Sequence, residues 1–110
     1  MGGTLGPVPP DDNGGMKVRV WEYDVPESAR PDFERVYGAQ GDWARLFAAS
    51  PGFLGTELFA STSEPGRYLT VDRFTDEAAW LAFLSEHREA YDALDAECES
   101  MTTGERELAD

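Results

Sequence analysis

The chain has 110 residues, of which 41% are hydrophobic and 28% are charged, as in an ordinary globular protein and unlike a disordered chain. This length fits one domain with a single core. The formal net charge of −13 at pH 7 repels phosphate groups, so the composition argues against nucleic acid and anionic membrane surfaces as partners.

The cysteine content and the first residues bear on location in the cell. Cys98 is the only cysteine, so an intramolecular disulfide and a cysteine-based zinc site are both excluded. Residues 1–15 lack the basic start and apolar run of a signal peptide, and no stretch offers the ~20 apolar residues that cross a bilayer. The sequence therefore predicts a cytoplasmic protein.

Glycine and proline dominate the N-terminal segment, MGGTLGPVPPDDNGG. This composition opposes both helix and sheet and buries almost no apolar surface. We therefore predict a flexible tail over residues 1–15 and one folded domain over residues 16–110.

The first predicted strand covers residues 17–25, which are rich in β-branched and aromatic side chains. Alternation puts Val18 and Val20 on one face of this strand and Trp21 and Tyr23 on the other. Both faces therefore carry apolar side chains.

Two short helices are predicted to connect the first strand to the second. Pro31 suits the first turn of a helix and Gly38 suits its end. Asp42 is expected to cap the second helix, which includes Trp43 and stops at residues 50–52, Ser-Pro-Gly.

Residues 53–61 and 67–74 are predicted to form a hairpin. They flank the turn Ser63-Glu64-Pro65-Gly66, in which proline presets one backbone angle and glycine tolerates a positive φ. Residues 102–108 are predicted to return as a short last strand.

A long helix is predicted between the hairpin and the last strand, capped by Thr75 and Asp76. Its inward stripe advances in steps of three and four residues. The members of this stripe are Trp80, Phe83, Leu84, His87, Tyr91, Leu94 and Cys98.

The predicted order of elements, βααββαβ, is that of an α+β ferredoxin-like domain with an antiparallel sheet. In this arrangement the helices cover one face of the sheet and leave the other open. Because an open apolar face usually binds a partner, we expect the domain to pair through its sheet as a homodimer.

Four segments, followed by a helix that carries His87, support a resemblance to a known family: VRVWEYDVP, YGAQGDWARLF, PGFLGTELF and RYLTVDRF. Through them, over roughly residues 16–108, the chain resembles the antibiotic biosynthesis monooxygenase domains of the dimeric α+β barrel superfamily. The resemblance implies a cofactor-independent monooxygenase that acts on an aromatic or polyketide-like small molecule and works as a homodimer.

For the members with known chemistry, the resemblance implies an asparagine near the substrate together with a tryptophan. The family also includes haem-degrading oxygenases, for which the resemblance implies in addition a histidine ligand on the long helix. The only asparagine is Asn13, in the tail. Aligning the helix by its flanking strand puts Phe83 at the tryptophan's place and Ala93 at the histidine's place. The resemblance thus implies no haem, and we expect no cofactor and no metal.

Three residues of the long helix are predicted to be catalytic, in a pocket between the helices and the sheet. Trp80, His87 and Tyr91 are separated by steps of seven and four, which puts them on one side of a helix. His87 would accept a phenolic proton, Trp80 would stack on the ring, and Tyr91 would donate a hydrogen bond to the developing oxyanion. The alternative for His87 is a hydrogen-bonded structural role.

Four further residues are predicted to bind the substrate: Tyr68, Arg73, Trp43 and Phe83. Alternation puts Tyr68 and Arg73 on opposite faces of their strand, so only one of them can point into the pocket without a bulge. Core or interface packing is the alternative for each aromatic ring. Arg19 and Asp72 are strand residues that could steady a phenolate or form a salt bridge.

Two functions therefore remain open at the level of sequence. One is an oxygenase in which the substrate itself supplies the electrons to oxygen. The other is a non-catalytic, small-molecule-binding dimer of the same fold, which the missing asparagine and the single histidine favour.

Overall fold

The computed structural model describes residues 15–109, and the first fourteen residues of the predicted tail lie outside this range. Besides two short 3₁₀ helices, Glu27–Ala29 and Glu99–Met101, the described chain contains four strands and three α-helices. They are β1 (Lys17–Asp24), α1 (Arg30–Tyr37), α2 (Asp42–Phe47), β2 (Phe53–Ala60), β3 (Arg67–Phe74), α3 (Glu77–Cys98) and β4 (Gly104–Ala109).

The strands form one antiparallel sheet in the order β2-β3-β1-β4. This order, with the helices between the first two and the last two strands, confirms the predicted α+β ferredoxin-like fold. The register of β1 against β3 sets Val20 opposite Val71 and Tyr23 opposite Tyr68. Cross-strand neighbours share a face of the sheet, so this register decides which side chains meet.

Helix α2 begins differently from the sequence prediction. Gly41, not Asp42, is its N-cap residue, and no side chain caps the helix. A Cβ at Gly41 would come within 2.4 Å of the Arg35 carbonyl oxygen, so only glycine fits this close packing of α1 against α2. The Asp42 carboxylate instead accepts a hydrogen bond from Arg45 Nη2 at 3.0 Å, one turn along the helix.

The predicted turn and the cap of the long helix are both confirmed. Gly66 adopts φ 86° in the hairpin turn, and the Asp76 side chain accepts a hydrogen bond from the Ala79 N–H at 2.8 Å. Helix α3 is interrupted at His87, whose φ of −125° and ψ of 26° are non-helical. Across this interruption, the rings of Trp80 and Tyr91 are still in contact, with centroids 6.2 Å apart.

All three helices cover the same face of the sheet, through a cluster of stacked and edge-on aromatic rings. Phe33 of α1 contacts Tyr23 with ring centroids 5.3 Å apart, and Phe47 of α2 contacts Phe74 at 5.6 Å. Trp80 of α3 also contacts Phe74, at 5.3 Å. Full burial of each such side chain stabilises the fold by roughly 1.5–3 kcal/mol.

The open face of the sheet carries the residues that alternate along each strand with those of the covered face. Val18, Val20, Leu69 and Val71 lie there and are only partly buried, and Phe59 of β2 is 48% exposed. The side chains of this face thus form an apolar surface that no described helix covers.

Among residues 15–109, no helix is both long enough and apolar enough to span a membrane.

Candidate functional site

A cavity of about 140 Å³ lies between the covered face of the sheet and helices α1, α2 and α3. Aromatic side chains make up half of the residues in its wall. They are Trp21, Tyr23, Tyr37, Trp43, Phe47 and Tyr91.

The inner end of the cavity is polar, because three neighbouring strands each place a polar residue in the same row. Arg19 of β1 lies opposite Asp72 of β3, which lies opposite Thr56 of β2. Arg19 Nη1 donates to Asp72 Oδ2 at 3.3 Å, and Thr56 Oγ1 donates to Asp72 Oδ1 at 2.7 Å. All three side chains are buried, so this cluster is held away from bulk solvent.

Burial dominates the electrostatics of the cluster. It raises the pKa of the Asp72 carboxyl above its ordinary value, although the Thr56 hydrogen bond and the Arg19 charge both oppose this rise. Burial also raises the pKa of the Tyr91 hydroxyl, which lies beside Arg19. Asp72 is therefore a stronger base than an exposed carboxylate, and Tyr91 is a neutral hydrogen-bond donor.

Two further hydroxyl groups in the wall stay protonated. Burial raises the pKa values of Tyr23 and Tyr37 well above the ordinary tyrosine range. Around neutral pH the wall therefore adds donors and acceptors but no negative charge. The acidic side chains at the cavity are Asp72 inside it and the exposed Asp95 and Glu105 at its rim.

Two indole N–H groups at the cavity lack partners. Among the described residues, Trp21 Nε1 and Trp43 Nε1 are the buried side-chain polar atoms without a hydrogen bond of normal geometry. Trp43 Nε1 lies near the Tyr37 hydroxyl and the Cys98 thiol, which are potential acceptors within the chain. Buried donors usually have an acceptor, so the Trp21 N–H group points to an acceptor supplied from outside the chain.

Two of the seven predicted site residues, Trp43 and Tyr91, line the cavity. Trp80 lies one layer behind the wall, with the Arg19 guanidinium 4.1 Å from its ring centroid. It therefore contacts a lining residue rather than the cavity itself. Phe83 is fully buried in the core against Phe47.

His87 also lies outside the lining of the cavity. Its ring packs against Phe83, with centroids 5.3 Å apart. His87 and Trp80 were expected to border the cavity with Tyr91. The Trp80 and Tyr91 rings do meet, with centroids 6.2 Å apart, but the structure places both Trp80 and His87 outside the lining of the cavity.

Tyr68 and Arg73 lie on opposite faces of β3, as alternation predicted. Tyr68 is on the covered face, but its hydroxyl donates to Glu34 Oε2 at 2.5 Å and the residue does not line the cavity. Arg73 is on the open face, where it forms a salt bridge with Glu57. Neither residue therefore reaches the cavity.

Sequence reasoning singled out Arg19 and Asp72 as strand charges but did not include them in the predicted site. Thr56 and Thr70, which also line the cavity, were missed altogether. The available signal was the run of polar residues at inward positions of β3, where Thr70 and Asp72 interrupt an otherwise apolar face. The strand register that joins them to Thr56 could not be derived from the sequence.

No group of three or more histidine, cysteine, aspartate or glutamate side chains within residues 15–109 is arranged to hold a metal ion. The acidic residues at the cavity do not form such a group.

The family model described as antibiotic biosynthesis monooxygenase matches residues 16–94, most of the chain. The chain belongs to the antibiotic biosynthesis monooxygenase family. The family resemblance drawn from the sequence is thereby confirmed. The three residues of the polar cluster, Arg19, Thr56 and Asp72, all lie within the matched segment.

Solved structures of similar fold include a candidate antibiotic biosynthesis monooxygenase from Caulobacter crescentus, with a TM-score of 0.68 and 22% identity over 88% of this chain and 91% of that chain. Another, from Nitrosomonas europaea, has a TM-score of 0.64 and 13% identity over 88% of this chain and 89% of that chain. At these identities the likeness establishes the fold alone. No curated protein matches the chain significantly.

Proposed function

We propose that this antibiotic biosynthesis monooxygenase domain is a cofactor-independent oxygenase that acts on a small phenolic molecule in the cavity. The observation that carries the proposal is the buried Arg19–Asp72–Thr56 cluster, which faces a cavity with aromatic walls. Aromatic walls bind a flat ring, and a buried base next to a buried cation suits the formation of a phenolate.

The reaction balances with molecular oxygen as the only co-reactant. Deprotonation makes the phenol electron-rich enough to reduce oxygen. One oxygen atom is bonded to a ring carbon, and the other leaves as water with the two hydrogen atoms that the phenol loses. The simplest phenol and one oxygen molecule thus give one benzoquinone and one water molecule. No external reductant is required, because the ring itself is oxidised.

Each residue of the site has a role in this proposal. Asp72 accepts the phenolic proton, a role that its raised pKa favours. Arg19 and Tyr91 stabilise the negative oxygen that results. Trp43 supplies a surface on which the ring packs. His87, which sequence reasoning made the base, is assigned no role because it lies outside the lining of the cavity.

The proposal is tested by measuring oxygen uptake with a panel of phenols. Wild-type protein should consume oxygen, and Asp72→Asn should slow turnover by about 10²–10⁴-fold, the usual contribution of a general base. Tyr91→Phe should cost up to about 10²-fold, as expected for one hydrogen bond to an oxyanion. The matched control is Glu57→Gln on the open face, which should leave turnover unchanged. Wild-type uptake no faster than buffer would contradict the oxygenase.

A second candidate function is a non-catalytic module that binds the same class of molecule. It is favoured by one observation: the only asparagine, Asn13, precedes the segment that matches the family model. Oxygen uptake in the presence of a bound phenol distinguishes the oxygenase from the binding module. A phenol that binds in the cavity without oxygen uptake would favour the binding module.

We also propose that the protein forms a homodimer through the open face of the sheet. The apolar side chains there are continuous across β1, β2 and β3. Although the whole chain has a net charge of −13, each acidic side chain described on this face forms an ion pair with an arginine. These pairs are Glu57 with Arg73, Glu22 with Arg106, and Asp24 with Arg67 and Arg106.

Because the open face is apolar and balanced in charge, a second copy can approach it without the repulsion that acts elsewhere. The single cysteine, Cys98, is buried, and we propose a cytoplasmic location for this dimer.

A further inference from the structure

The size of the cavity limits the ligand. Its volume of about 140 Å³ is close to that of an engineered protein cavity of about 150 Å³ that binds benzene. Pockets for drug-sized ligands are larger, roughly 300–1,000 Å³. A cavity of this volume therefore matches one six-membered ring with small substituents and is small for a fused tricyclic system.

The polar groups of the cavity limit the chemistry of the ligand. The Trp21 N–H group has no hydrogen bond among the described residues and calls for an acceptor, whereas the Trp43 N–H group lies near the Tyr37 hydroxyl and the Cys98 thiol. The Asp72 carboxylate has two oxygens, each with a free lone pair after its single hydrogen bond from Thr56 or Arg19. A phenolic hydroxyl satisfies both kinds of group, since it donates one hydrogen bond and accepts others.

The charges of the cavity limit the charge of the ligand. Within the described part of the chain, Arg19 is the one cation in the cavity lining, and it is already paired with Asp72 and packed on the Trp80 ring. Asp95 and Glu105 add negative charge at the rim. An anionic ligand would therefore meet repulsion at the entrance, and the cation inside is already neutralised by its pair.

We propose that the cavity selects an uncharged, single-ring phenol, whose hydroxyl donates to Asp72 while its oxygen accepts from an indole N–H of Trp21 or Trp43. This inference rests on the proposed function and deepens it, because it names the substrate class of the same cavity. It goes further in excluding the fused polycyclic ring systems and the aromatic acids.

The test is a titration of the full-length protein with four compounds, followed by calorimetry and by NMR of the three indole N–H groups. Phenol is the expected ligand and 9-phenanthrol is the fused tricyclic comparison. 4-Hydroxybenzamide and 4-hydroxybenzoate form a pair of matched size that differs in charge. Each indole resonance is assigned by replacing its own tryptophan with phenylalanine.

Phenol should bind at least about tenfold more tightly than 9-phenanthrol, and the benzamide at least about tenfold more tightly than the benzoate, each difference corresponding to about 1.4 kcal/mol. Phenol should shift the N–H resonance of Trp21 or Trp43 more than that of Trp80, which lies behind the wall. The control variant Glu57→Gln, on the open face, should bind phenol as the wild type does.

Equal or tighter binding of 9-phenanthrol or of the benzoate would overturn the inference, as would the absence of an indole shift with phenol. These outcomes are separable from failure of the oxygenase. Selective binding of phenol without oxygen uptake would support the ligand class while contradicting catalysis. Oxygen uptake with 9-phenanthrol and not with phenol would contradict the ligand class while supporting catalysis.

Discussion

The covered face of the sheet buries Arg19, Asp72 and Thr56, whereas the open face leaves valine and leucine side chains partly exposed. The stability of a monomer would favour the reverse arrangement. The attraction within a buried ion pair often does not offset the free-energy cost of its desolvation, and a large exposed apolar patch is unusual on a monomer. This contrast is what we expect if the covered face binds a ligand and the open face binds a second copy, as proposed above.

Two aspartates show the same difference in their titration. On the open face, hydrogen bonds from Arg67 and Arg106 hold the pKa of Asp24 below its usual range. On the covered face, burial raises the pKa of Asp72 above its usual range. The arginine partners of Asp24 stabilise its charged form. Thr56 and Arg19 do not fully offset the hydration that the Asp72 carboxylate loses on burial.

The largest expected effect is loss of the dimer when a charge is placed on the open face. Val71 lies on β3 between β1 and β2, so Val71→Glu should convert a particle of twice the 12.1 kDa chain mass into one of that mass. Light scattering at micromolar concentration measures the change. The matched control is Leu81→Glu on α3, where the leucine is 52% exposed, and this variant should stay dimeric. A wild-type monomer would break the comparison between the faces.

The next effect is on stability when one member of the buried pair is removed. Arg19→Met leaves the Asp72 charge without its partner and should lower the free energy of unfolding by about 3–5 kcal/mol. Removing the equivalent charge on the open face, with Arg73→Met, should cost about 0–1 kcal/mol, because its pair with Glu57 is exposed to water. Urea denaturation measures both values.

The double variant Arg19→Met with Asp72→Leu is the control for this prediction. It should recover most of the lost stability, since no uncompensated charge remains. Equal losses for Arg19→Met and Arg73→Met would contradict the assignment of different environments to the two faces.

A smaller effect, opposite in sign on the two faces, is expected in the pH dependence of stability. The raised pKa of Asp72 means that its contribution falls as pH rises from its unfolded value, about 3.9, through its folded value. Relative to wild type, Asp72→Asn should therefore gain stability with rising pH across that window.

The lowered pKa of Asp24 has the opposite consequence. Its stabilising contribution is fully present above the unfolded pKa and is lost as pH falls through the folded value. Asp24→Asn should thus be least stable relative to wild type at neutral pH. Unfolding of both variants measured from about pH 3 to about pH 7 checks the signs, and parallel curves would refute the argument.

The smallest effect is expected at His87, which belongs to neither surface of the comparison. It is partly buried against Phe83 and lies outside the lining of the cavity. His87→Ala should change ligand affinity and any oxygen uptake by less than about twofold. A loss as large as that of Asp72→Asn would restore His87 as the base and overturn the assignment to Asp72.

The elements of the fold could be predicted from the sequence because their signals are local. Alternating side chains gave the first and third strands to within one residue at each end, and Gly66 and Asp76 each mark a boundary through their own backbone chemistry. The open face of the sheet also follows from this order, since the helices between the strands lie on one side. The family could also be identified, because the resemblance rests on short continuous segments of the sequence.

The candidate site could be predicted only in part. Trp43 and Tyr91 line the cavity, whereas His87 and Trp80, which the helical spacing added to the predicted site, do not. The kink at His87 has no proline or glycine to announce it.

The sequence by itself therefore determined the elements, their order and the two faces of each strand, because these depend on residues a few positions apart. Only the tertiary structure decided which polar residues meet. Arg19 and Asp72 are 53 residues apart, and Thr56 and Asp72 are 16 apart, so their contact depends on the register of three strands. That register is a property of the whole sheet, since a shift of one residue would turn every side chain of a strand to the other face.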